Sequence, residues 1–223
     1  MSATDNRRPL KSRGTGWARG LATALARMGV SPDLVSAFSL VFALAGAAAF
    51  LGSATAEGWQ RPVLLIAAGT CVQLRLLCNL LDGMVAVEHG RGGPYGPIWN
   101  ELPDRVADAL FLVGAGYGAR CAGVEWADAL GWGAAAAALL TAYVRELGRS
   151  LGQPADFSGP MAKPHRMALL TGACVVSALE GLWGWHGEAL AIALAVILVG
   201  ALVTVVRRTL RLAAGLRGER PAK

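Results

Sequence analysis

The sequence predicts an all-α integral membrane protein, with six transmembrane helices preceded by an amphipathic helix lying at the membrane interface. Three observations carry this prediction. The 223 residues are 54% hydrophobic and only 16% charged, against roughly 25% charged in ordinary globular chains. The apolar residues fall in long unbroken runs, each near or above the ~20 residues a helix needs to cross the hydrocarbon layer. Such runs are unlike the alternating ten-residue segments of a membrane β-barrel. Lys and Arg, finally, gather at one set of ends and connections, as they do on the cytoplasmic side of membrane proteins.

In chain order, residues 15–28 read "TGWARGLATALARM". Trp17, Leu21, Leu25 and Met28 recur at helical spacing while Arg19 and Arg27 fall elsewhere on the wheel, the pattern of a helix resting on the inner membrane surface. A solvated linker is the plainer alternative. Six spans follow, at roughly 33–54, 62–87, 98–120, 126–148, 166–185 and 188–206. The first apolar run is long and comes after about thirty polar and amphipathic residues, so it is expected to anchor the chain and not to be a cleaved signal. In "VSPDLVSAFSL", Pro32 stands where a helix begins. The organisation expected is a tail with the interfacial helix over 1–30, a membrane domain over 31–210 and a basic tail over 211–223. The first dozen residues and those after Gly215 are expected to be flexible.

Six cations precede the first span, Arg91 lies in the second connection, Arg145, Arg149, Lys163 and Arg166 lie around the fourth, and six more end the chain. The other side holds only Arg61 and Arg120, with Glu57, Glu125, Asp128 and Glu188. Both termini and the second and fourth connections are therefore expected in the cytoplasm. The net charge of +6 flanks spans, which favours anionic lipid head groups as partners and not nucleic acid. Cys71, Cys78, Cys121 and Cys174 lack metal-ligand spacing and read as free thiols. Small residues in spans one, three, four and six permit close helix contacts, within the chain or between copies.

The most informative stretch is "NLLDGMVAVEHGRGGPYGPIWNELPD", Asn79 to Asp104. Ionisable side chains at membrane depth cost several kcal/mol unless paired or hydrated, so they point to function. Asn79 and Asp82 are three apart, and Asn100, Asp104 and Asp108 are successively four apart, so each set shares a helix face. On antiparallel neighbouring helices the two faces converge at the cytoplasmic end. Hard oxygen donors gathered this way suit Mg²⁺, Mn²⁺ or Ca²⁺, and the lack of nearby Cys and His argues against zinc. Gly83 with Ala86 leaves a bare helix patch that either a ligand or a neighbouring helix can approach.

This stretch resembles the signature of the CDP-alcohol phosphatidyltransferase family, Asp-x-x-Asp-Gly-x-x-Ala-Arg, eight residues, Gly-x-x-x-Asp-x-x-x-Asp. The frame runs without a gap through Asn79, Asp82, Gly83, Ala86, Val87, Gly96, Asn100 and Asp104. Asparagine stands at the first and third aspartate positions and valine at the arginine, as in a bacterial branch that keeps "NLLDGM" and a nearby "DR". The resemblance implies an enzyme that moves a phosphatidyl-type group from a CDP-activated lipid, CDP-diacylglycerol above all, to an acceptor hydroxyl with release of CMP. It implies Asp82, Asp104, Asn79 and Asn100 at the metal positions, and Gly83, Ala86 and Gly96 at the nucleotide. Asp104 would also be the base that activates the hydroxyl. Arg145, Arg149, Lys163 and Arg166 would hold the acceptor or its phosphate, although the same charges also serve topology. The family form is a homodimer, here in a bacterial inner membrane with the site in the cytoplasm.

The two asparagines remove two carboxylate charges from the metal site, which Glu101, Glu88 or Asp108 can supply in part. Asp108 alternatively pairs with Arg105 or Arg75. As an N-cap, Asn100 would place Pro103 in the first turn of the third span. A family member that binds CDP-lipid without turnover is the second reading of the whole chain, and a small transporter the third.

Overall fold

The computed structural model describes residues 15–88 and 95–218, Glu88 by its backbone alone. Helices are α1 (Gly16–Arg27), α2 (Pro32–Thr55), α3 (Gln60–Glu88), α4 (Gly96–Cys121), α5 (Ala127–Ser150), α6 (Lys163–Leu179) and α7 (Glu188–Leu216); a 3-10 turn, Glu180–Trp183, extends α6. The first dozen residues, the connection holding Arg91 and the last five residues lie outside the described part.

Local chemistry accounts for the helix ends. Ser31 Oγ accepts a hydrogen bond from the Leu34 amide at 3.2 Å, with Pro32 at the first helical position, which satisfies an orphan donor where proline is tolerated. α4 begins at Gly96. Asn100 therefore lies inside that helix and is not its N-cap, and Pro103 falls in the helix interior, where its missing N–H leaves the Trp99 carbonyl without its helical donor.

Six helices close a ring in the order α2, α4, α5, α7, α6, α3, with α4 also touching α3 and α7 across it. The core is built of Phe50, Leu65, Phe111, Leu112, Leu170, Leu194 and Ile197 with many alanines. Small residues let backbones approach, as expected of packing in lipid. A Cβ on Gly118 would stand 2.7 Å from the Phe50 carbonyl oxygen of α2, and one on Gly131 of α5 would stand 2.8 Å from the Leu112 carbonyl oxygen of α4. The small residues of the spans are thus used within the chain.

Five of the helices are long and apolar enough to cross a membrane, α2, α3, α5, α6 with its 3-10 extension, and α7. Phe38, Val41, Ile66, Leu140, Val199 and Val203 are large apolar side chains left exposed on them. α4 has a spanning length of 26 residues and a place in the ring, but Glu101, Asp104, Arg105 and Asp108 keep its first half from being apolar. The expected sixth span is therefore present as a helix without the composition of one. α7 continues to Leu216, past the predicted span end at 206 and the domain boundary at 210.

α1 forms where expected, but its face toward α3 is Ala18, Ala22 and Ala26, which are buried, while Trp17, Leu21 and Met28 are exposed. At the far end of the ring, Arg61 pairs with the buried Glu180, which also accepts from the Gly187 amide at 2.6 Å. Arg120 pairs there with Asp128. All four cysteines are free.

Gly131→Val is expected to force α4 and α5 apart and to destabilise the protein by about 1–3 kcal/mol, the usual cost of overpacking. Thermal unfolding in detergent, compared with Gly172→Val on α6, where an added Cβ meets nothing within 4 Å, measures it.

Candidate active site

Three helix starts and three helix ends surround one pocket of about 810 Å³. Pro32 of α2, Gly96 of α4 and Lys163 of α6 bring their N-termini to its wall, and α3, α5 and α7 contribute residues from their C-terminal halves. Helix N-termini carry positive partial charge and unsatisfied N–H groups, so a pocket ringed by three of them favours an anion.

A chain of alternating charges runs through the floor. Arg75 of α3 is 0% exposed. Its Nη2 donates to the Asp104 carbonyl at 2.8 Å and to Asp104 Oδ1 at 3.0 Å, and lies 3.1 Å from Asp108 Oδ1. Arg166 of α6 donates to Asp108 Oδ2 at 3.0 Å and to the Met161 carbonyl at 3.0 Å. Asn79 donates its amide N–H to Asp104 Oδ1, and Lys163 Nζ donates to Asp104 Oδ2. Burying one such charge unpaired would cost several kcal/mol, and alternation is what allows so many here.

Asp82 stands apart from this chain. It is 5% exposed, its Oδ2 accepts from Ser36 Oγ at 2.6 Å, and its buried Oδ1 has no hydrogen-bond partner among the described residues. A buried carboxylate oxygen left bare is the expensive exception that calls for a ligand.

Every residue of the sequence-predicted site with a described side chain lines this pocket, apart from Asp108. That list includes Asp82, Asp104, Asn79 and Asn100, the small Gly83, Ala86 and Gly96, and the basic Arg145, Arg149, Lys163 and Arg166. Asp108 lies beneath as an ion-pair partner of Arg75 and Arg166, so of its two expected roles the structure shows the pairing. Glu101 lines the pocket with its charge already engaged. It is taken by Arg105 at 2.8 Å and Arg145 at 2.6 Å. The Glu88 side chain falls outside the described residues. The basic residues are less free than expected: Arg145 and Arg149 share Glu146, both at 2.8 Å, and Arg145 also lies over the Phe157 ring.

Ser36, Thr141 and Arg208 were not anticipated, and all three line the pocket. Arg208 donates to the Thr141 carbonyl at 2.6 Å and to the Ser158 carbonyl at 2.9 Å. In the sequence it sits among the terminal cations and reads as topology; the only signal was its distance of 20 residues from the start of α7, still on one helix. Among the described residues no group of three or more His, Cys, Asp or Glu is placed to hold a metal, because two of the expected ligands are amides.

No family model matches the sequence. Curated relatives do: a phosphatidylinositol phosphate synthase of Streptomyces avermitilis is 30% identical over 200 residues, covering 84% of this chain and 74% of the relative. The chain belongs to the CDP-alcohol phosphatidyltransferase family. A phosphatidylinositol phosphate synthase of Mycobacteroides abscessus is 29% identical over 199 residues, covering 84% of this chain and 80% of that protein. The crystal structure of the Mycobacterium tuberculosis phosphatidylinositol phosphate synthase with CDP-DAG bound superposes with a TM-score of 0.71 at 22% identity, over 87% of this chain and 92% of the other. The same enzyme with manganese and citrate gives 0.72 at 22% identity, over 88% of each. These two likenesses are of fold. As a member of the family the chain is an integral membrane phosphatidyltransferase, which moves a phosphatidyl-type group from a CDP-activated lipid to a hydroxyl with release of CMP.

Arg75→Met is expected to leave Asp104 and Asp108 buried with one counter-charge fewer each and to cost about 3–5 kcal/mol. Loss of folded protein on size exclusion, with partial recovery for Arg75→Lys, would bear this out; a Met variant as stable as the parent would not.

Proposed function

We propose that the chain uses CDP-diacylglycerol as donor and a phosphorylated polyol of the inositol phosphate type as acceptor, in a bacterial inner membrane with the pocket open to the cytoplasm. The observation that carries this is the single pocket that unites the α3–α4 hairpin with the basic residues at the end of α5 and the start of α6. Two curated relatives are named for phosphatidylinositol phosphate synthesis, which supports that acceptor over serine or glycerol phosphate. α4 completes a six-span bundle, and α1 lies at the interface with Leu21 and Met28 toward lipid and Trp17 at the pocket wall. A homodimer is the expected assembly.

The residues present fit one divalent cation, Mg²⁺ or Mn²⁺. The bare Asp82 Oδ1 is a charged oxygen ligand, and the carboxamide oxygens of Asn79 and Asn100 are neutral ones; all are hard donors. Bound there, the cation would neutralise the donor's pyrophosphate and the charge gathering on the departing CMP. Gly83, Ala86 and Gly96 offer the nucleotide a wall without side chains to displace it.

Asp104 Oδ1 accepts from both Arg75 and Asn79, whereas Oδ2 accepts from Lys163 alone, with Arg105 Nη2 at 3.9 Å. An ionised carboxylate has two lone pairs on each oxygen, so Oδ2 retains one to take the proton of the acceptor hydroxyl. Arg145 and Arg149 rim the pocket, where Arg149 is 43% exposed in its side chain, and would meet the acceptor phosphate as forked donors.

Purified protein given CDP-diacylglycerol, inositol phosphate and Mn²⁺ is expected to release CMP, and Asp104→Asn to lower the rate by about 10²–10⁴-fold, the usual contribution of a general base. CDP-diacylglycerol binding without CMP release under any divalent cation or acceptor would replace turnover with the reading of a nucleotide-lipid binding subunit.

A further inference from the structure

Asp82 and Asp104 face one pocket with opposite surroundings. Asp82 takes a side-chain hydrogen bond only from the neutral Ser36 hydroxyl, has the Gly83 amide and the more distant Lys163 charge near it, and keeps a bare buried oxygen. Asp104 meets three cations, Lys163, Arg75 and Arg105, within 3.9 Å, and an amide donor besides. A divalent ion placed on Asp104 would have to crowd against the ammonium on Oδ2 and stand beside two guanidinium groups that have nowhere to go, since Arg75 is 0% exposed and Arg105 is held by Glu101 at 2.8 Å. Asn79 also gives its amide N–H to Asp104, which engages its nitrogen and not its oxygen.

We propose that Lys163 Nζ is a built-in cation for Asp104, so that this site takes one divalent ion, held on the Asp82 side, and never a second. The inference rests on the divalent-cation reading above and deepens it. A lysine ammonium suits the place physically. It is a compact point charge with three rotatable donors, it starts α6 so that its position is fixed by the helix, and it supplies one positive charge where two carboxylates have become amides. Lys163 is thus a positioning residue for Asp104 and a substitute for an ion.

Mn²⁺ titration of the purified full chain in detergent, with free Mn²⁺ counted by electron paramagnetic resonance and no lipid substrate added, tests this. The parent is expected to bind one ion. Asp82→Asn should abolish binding and Asp104→Asn should leave the count at one. Lys163→Met should admit a second, weaker ion, whereas Lys163→Arg should not. Two ions on the parent, or an Asp104→Asn variant that loses Mn²⁺ as Asp82→Asn does, would overturn the inference while leaving the cation reading intact. If Lys163→Met does not fold, the parent count and the two aspartate variants still decide. A parent that binds no Mn²⁺ would overturn the cation reading itself, and this inference with it.

Discussion

The structure depends most on the burial of Arg75. A guanidinium with no exposed surface, placed between two helices of a membrane bundle, must find its counter-charges within reach or not be charged at all. It finds them on α4, in Asp104 and Asp108, and each of those acids then needs a second cation, which α6 supplies through Lys163 and Arg166. The three helices are thereby set in register by charge, at the depth where the pocket floor lies. Packing by glycine and alanine brings the backbones close elsewhere in the ring, but small residues slide past one another easily. The ion-pair chain does not allow sliding, because a shift by one residue would leave a charge unpaired in a low-dielectric interior.

That division explains how much of the molecule was legible in the sequence. Helix positions follow from length and apolarity, which lipid enforces strictly, and α2 through α6, with the 3-10 turn counted into α6, begin and end within a few residues of the predicted spans. α7 was cut short because the apolar pattern stops at Val206, where Arg207 begins the charged stretch; a helix has no need to stop where lipid does. The converging faces of α3 and α4 were also legible, since spacing of three and four residues fixes direction on a helix. What periodicity could not show was the partner of each charge. Lys163 and Arg166 are expected at the acceptor phosphate by resemblance to the family, and that they also pair with Asp104 and Asp108 depends on how α6 meets α4. Ser36 gave no signal either, a serine on an apolar helix being unremarkable until its hydroxyl is seen on Asp82.

The two aspartates also show how one pocket can hold identical side chains in unlike states. Around Asp104 the donors are charged and numerous, so the carboxylate is stabilised as an anion and oriented. Around Asp82 they are few, and the cost of its burial is left for a ligand to offset. Substitution of asparagine at two nearby positions, which looks in the sequence like erosion of a site, is in the structure a redistribution. Asn79 serves as a donor to one acid, where a carboxylate would have repelled it.

The length of α7 bears on where this protein ends in a practical sense. Its 29 residues extend about 43 Å at 1.5 Å each, against about 30 Å of hydrocarbon. Thr204 Oγ1 accepts from the Met161 amide at 3.0 Å, Arg208 holds the Ser158 carbonyl, and Arg211 reaches the Ser158 hydroxyl and Asp156. The final turns therefore act as a mooring post for the loop between α5 and α6, which delivers Lys163 to Asp104. A chain trimmed where its oily stretch stops would keep every span and the Thr204 contact but lose both arginine moorings, leaving an intact bundle with a slack rim around its pocket.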